Sequence, residues 1–66
     1  MRINTSAFVE LHTHGEPLAL NVNLIESIRS HGHGGQATIY MAGSEPGGYW
    51  LVDESYDQVI EKINEL

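Results

Sequence analysis

The chain has no cysteine. Disulfides and thiolate metal sites are therefore excluded, and the redox compartment stays open. With 66 residues, a domain of this size buries only about 60 % of the surface its unfolded chain exposes. It must hold together by a well-packed core, by self-association or by a histidine-bound metal. Basic residues are scarce as well. Arg2, Arg29 and Lys62 stand against nine acidic residues, for a net charge of −6. The three are scattered and form no patch. An acidic chain repels phosphates and anionic lipid surfaces, which argues against nucleic acid and membrane as partners. No apolar run approaches the ~20 residues of a membrane-spanning helix. The start, MRINTSAFVEL, has one arginine followed by polar residues and lacks the secretory pattern. The expectation is one soluble, cytoplasmic domain over 1–66, with 1–6 frayed.

What is present is alternation, broken by glycine. Ala7, Val9 and Leu11 oppose Phe8, Glu10 and His12, the pattern of a half-buried strand. His14-Gly15 reads as a hairpin turn within Thr13–Glu16. Pro17 then opens a second strand through Leu18–Val22. Ile25 and Ile28 are three apart, so a strict strand would put them on opposite faces. A helical turn or bulge over Asn21–Ile25 would bring both into one core. Glu26–His31 is the third strand. Gln36–Ala42, with Ala37, Ile39 and Met41 against Thr38 and Tyr40, is the fourth, and Tyr49–Asp53 is the fifth. His31–Gly35 reads as a loop. Ser44–Gly48 reads as a type II turn with Pro46 and Gly47 at its centre.

Ser55–Leu66 predicts a helix. Ser55 and Gln58 have capping-box spacing. Tyr56, Val59, Ile60, Ile63 and Leu66 make one apolar stripe. Asp57, Glu61 and Glu65 form an acidic row on the outer side, read either as a solvated face or as a docking surface for a basic partner. The fold class is α+β: a five-stranded antiparallel meander, as a sheet or a small partly closed barrel, with the C-terminal helix packed on it.

Candidate chemistry centres on four histidines. His12 and His14, and His31 and His33, form two H-x-H pairs. Alternate strand residues point the same way, so each pair is a candidate bidentate site for Zn or Ni. The competing reading makes them ordinary turn residues, since the spacing matches no defined zinc motif. No other cofactor is implied. The serines lack a nucleophile-elbow context, and Ser55 is a cap. An acid such as Glu10 can face His12 or His31 across a hairpin, which is equally an ordinary surface pair. No catalytic residue emerges, and the chain is read as non-enzymatic.

The order G-x-x-L-x-L-N-x-x-L-I-x-x-I, carried by Gly15, Leu18, Leu20, Asn21, Leu24, Ile25 and Ile28, resembles the small bacterial FlbD/SwrD proteins of flagellar operons. Thr38-Ile39, Val52-Asp53-Glu54-Ser55 and Val59-Ile60 continue that order. The resemblance implies a non-enzymatic helper of flagellar assembly or swarming motility and transfers no catalytic residues; the expected partners are a second copy of the chain and an unidentified protein. Similar short chains in phage and mobile elements supply an alternative role, and a histidine-dependent metal-binding protein is another.

The last two strands are apolar on both faces. Ile39, Met41, Trp50 and Val52 alternate with Tyr40, Tyr49 and Leu51. One helix covers one face, so the other is expected to be shielded by self-association through Tyr40, Tyr49, Leu51 and Phe8.

Overall fold

A computed structural model describes residues 8–31, 35–43 and 48–66. The strands are β1 (Phe8–Thr13), β2 (Glu16–Asn21), β3 (Ile25–Ser30), β4 (Ala37–Met41) and β5 (Tyr49–Val52), and the helix is α1 (Tyr56–Asn64). Histidine loop residues 32–34, which include His33, and residues 44–47 of the expected type II turn lie outside the described residues.

The first hairpin forms as its residues dictate. Val9 and Leu11 point inward and Phe8 and Glu10 outward. Thr13 pairs with Glu16, and the two residues between them, His14 (φ 52°) and Gly15 (φ 78°), both have positive φ. That pair of angles defines the type I′ turn whose twist matches the flanking strands. A Cβ on Gly15 would meet nothing within 4 Å. Backbone angle, not space, therefore calls for glycine there.

The chain then makes a 3₁₀ turn at Val22–Leu24, capped by Asn21, whose side chain accepts from the Asn23 N–H at 2.9 Å. A bulge between Ile25 and Ser27 follows in β3. Together they resolve the spacing of the isoleucines: Ile25 and Ile28 both pack against the core.

The expected single five-stranded meander, open or partly closed into a barrel, does not form. Two antiparallel sheets do: β1-β2, and β3-β4-β5 with β4 central. The 3₁₀ turn redirects the chain, so β3 pairs forward with β4 and not back with β2. The sheets meet where β5 passes β1. There the Asp53 N–H donates to the His12 carbonyl at 2.7 Å, and the Thr13 hydroxyl donates to the Leu51 carbonyl at 3.1 Å. The neighbouring N–H groups of His12, His14 and Gly15 donate to carboxylates and not to strand carbonyls.

The core lies between the sheets and α1. Val9, Leu11, Leu20, Ala37, Ile39, Val52 and Val59 are buried in it. Ser55 caps α1 with both halves of the capping box in place: its hydroxyl accepts from the Gln58 N–H at 3.2 Å, and the Gln58 side chain accepts from the Ser55 N–H at 2.9 Å. The apolar stripe is narrower than its sequence. Val59 is buried and Ile63 packs on the core, while Tyr56 and Leu66, at the two ends, are exposed. No helix among the described residues is long and apolar enough to cross a membrane.

Candidate functional site

Two regions carry the side chains that chemistry or recognition would use. The first lies where β5 leads into α1. Val52 ends the strand and Ser55 caps the helix, so Asp53 and Glu54 occupy a short, fixed link between two anchored elements. The Asp53 carboxylate sits in the hairpin turn. One oxygen accepts the His14 N–H at 3.2 Å and the other accepts the Gly15 N–H at 2.8 Å. Successive N–H groups at positive φ form a small concavity that suits an anion, and here the chain supplies its own.

Glu54 is 8 % exposed. Its Oε1 accepts the His12 N–H at 2.9 Å, and its Oε2 lies 2.7 Å from His12 Nδ1. Lys62, on α1, donates its ammonium to the same Oε2 at 3.4 Å and to the Glu10 carbonyl at 3.3 Å. Burial pushes the Glu54 carboxyl up. The ring and backbone hydrogen bonds of His12, its own backbone N–H and Lys62 outweigh that push, and the group titrates below its ordinary value. This one carboxylate links β1, the β5–α1 link and α1.

An open groove of about 530 Å³ runs beside the cluster, lined by His12, Gly15, Asp53, Glu54, Gln58, Glu61, Lys62 and Glu65. Four carboxylates face one lysine, so the groove repels phosphates and other anions. No buried side-chain nitrogen or oxygen among the described residues lacks a partner. The groove therefore holds no orphaned group waiting for a ligand.

The first predicted metal pair does not assemble as strand neighbours, and His33 of the second lies outside the described residues. His12 lies on β1, but His14 has left the strand for a left-handed turn position, so alternation no longer aligns the two rings. His31 is exposed beyond the end of β3. Among the described residues no three of His, Asp and Glu are grouped to hold a metal ion. The acid that faces His12 is Glu54 and not Glu10, which offers only its backbone carbonyl, to Lys62. Of the acidic row, Asp57, Glu61 and Glu65 are all exposed, and Glu61 and Glu65 line the groove.

The second region is the outer face of the β3-β4-β5 sheet. Register places Ser27, Tyr40 and Tyr49 in one row and Arg29, Thr38 and Leu51 in the next. Tyr40 and Tyr49 meet with ring centroids 5.7 Å apart at 44°. The Arg29 guanidinium carbon lies 5.5 Å from the Tyr40 ring centre. Thr38 is buried, and Tyr49 is 56 % exposed. The result is a cation and two rings set side by side across three strands. Trp50 shares its row with buried Ile39, on the core side, yet is 42 % exposed. Phe8 does not join the tyrosines in their sheet; it belongs to β1, in the other one.

Arg29 is the member of this face that sequence reading passed over as an isolated charge. No family model, no curated protein and no solved structure matches the chain.

Proposed function

We propose that the protein is a small non-enzymatic interaction module whose working surface is the outer face of the β3-β4-β5 sheet. The observation that carries this reading is the Tyr40–Tyr49 pair beside Arg29, with Tyr40 half-buried and Tyr49 exposed. Tyrosine and arginine are the residues most often found to anchor protein interfaces. The polar cluster supports the same reading by elimination. Its carboxylates, His12 and Lys62 hydrogen-bond one another and the backbone, and among the described residues the His12 ring is hydrogen-bonded to Glu54 and not to a serine or threonine hydroxyl.

The partner is a protein, first of all another copy of the chain. The negative charge disfavours nucleic acid and anionic membranes. The resemblance of the apolar order over Gly15–Ile28 to FlbD/SwrD proteins supports a helper role in flagellar assembly or motility, carried out in the cytoplasm. Complementation tests it. A deletion strain should lose swarming and regain it with the wild-type chain but not with a folded Leu51→Lys variant. Unchanged motility in the deletion strain, with phage or mobile-element genes as neighbours, would overturn the flagellar role.

A further inference from the structure

The outer sheet face is lopsided. Its cation, Arg29, lies on β3 at one margin and leans over Tyr40 on the central strand. The ring at the opposite margin, Tyr49 on β5, is more than half exposed. The described residues include two basic side chains, Arg29 and Lys62, and Lys62 is committed to Glu54 and the Glu10 carbonyl. The face thus presents a cation along one edge and an open π surface along the other. The two edges are complementary to each other and lie on opposite sides of β4.

We propose that a second copy of this chain covers this face about a two-fold axis running along β4, so that Arg29 of each copy lies over Tyr49 of the other. This rests on the reading of the face as the interaction surface and names its occupant. A two-fold axis in the interface, parallel to β4, exchanges the β3 and β5 margins and keeps the strand direction. Arg29 sits one row along from Tyr49 in the register. It already spans such a diagonal offset to reach Tyr40 within its own chain. A single operator then makes two equivalent cation–ring contacts and stacks the Tyr40 rows at the centre, as an isologous interface requires. An axis perpendicular to the strands would instead place β3 on β3 and set the two arginines against each other. The core, with Val59 of α1, lies on the other side of the sheet, so the acidic groove stays clear of the contact. A stable interface buries about 800 Å² per partner. Three strands of four to six residues offer less, so the dimer is a weak one that forms with concentration.

Sedimentation of the full chain over a concentration series tests the pairing. The wild-type mass should climb from 7.3 kDa toward twice that value. Arg29→Glu should stay monomeric over the same range while still melting in one cooperative transition, and Arg29→Gln should raise the dissociation constant roughly tenfold. The double variant Arg29→Glu/Tyr49→Lys should recover association, because the axis brings each new glutamate to the other copy's lysine. Arg29→Glu dimerising like the wild type, or no rescue by the double variant, would overturn the pairing. A wild-type chain monomeric at every concentration would remove the second copy as occupant, while loss of swarming complementation by Leu51→Lys would still uphold the face as a surface for another protein.

Discussion

The junction of β5 with α1 and the outer face of the β3-β4-β5 sheet make opposite use of reactive side chains. At the junction both carboxylates of the link are engaged: Asp53 fills the hairpin turn, and Glu54 takes His12 and Lys62. On the sheet face, Tyr40, Tyr49 and Arg29 lean on one another yet leave Tyr49 largely uncovered. A region can be rich in histidine and carboxylate and still be a structural joint. A region with one charge and two rings can be the one prepared for a partner.

The largest effect should come from breaking the joint. Glu54→Ala leaves the His12 N–H without its acceptor and the Lys62 ammonium with the Glu10 carbonyl alone, and should cost about 1–3 kcal/mol in chemical unfolding. The lower end is favoured because the side chains of His12 and Lys62 are each 39 % exposed. A loss below about 0.3 kcal/mol would mean that the sheets hold together without the carboxylate.

Acid should loosen the same joint. The Glu54 carboxyl titrates lower in the folded chain than in the unfolded one. The unfolded state therefore takes up its proton first, and the stabilisation is complete above the ordinary carboxylate range and lost as pH falls through the lowered folded value. Melts across that range should show the wild type losing more stability than Glu54→Gln. Parallel curves would remove Glu54 from the acid response.

Asp53→Asn should cost less, about 1 kcal/mol, because its bonds to His14 and Gly15 are exposed. Hydrogen exchange at those two amides should speed up before the rest of the chain is affected. The smallest effect on stability belongs to the other region: Tyr49→Ala should shift the melt by no more than about 0.5 kcal/mol while weakening self-association. A strongly destabilised Tyr49→Ala would make the face a packing surface and erase the contrast.

Legibility divides along the same line. The hairpin turn, the period-two strands and the capped helix were readable because each depends on residues within a few positions of one another: His14-Gly15, Val9 with Leu11, Ser55 with Gln58. The 3₁₀ turn was readable from the spacing of Ile25 and Ile28. The split into two sheets was not, because alternation shows which face a residue occupies but not which strand lies beside it. The joint was equally hidden. His12 and Glu54 are 42 positions apart, and Asp53-Glu54 reads in sequence as ordinary acids ahead of a helix. Only the step from strand end to helix cap at Val52–Ser55, which fixes both carboxylates in place, hinted at their role. On the sheet face, the tyrosines were visible from alternation, whereas Arg29 became part of it only through the register of β3 against β4.

The contrast between the two regions is tested most directly by light scattering behind a sizing column, with Leu51→Lys and Glu61→Lys run at the concentration where the wild type associates. Leu51 belongs to the sheet face, and Glu61 lines the groove on α1. The account predicts that Leu51→Lys elutes with monomer mass and Glu61→Lys keeps the wild-type mass. The reverse order, with Glu61→Lys dissociating and Leu51→Lys intact, would place the contact on the helix and contradict it.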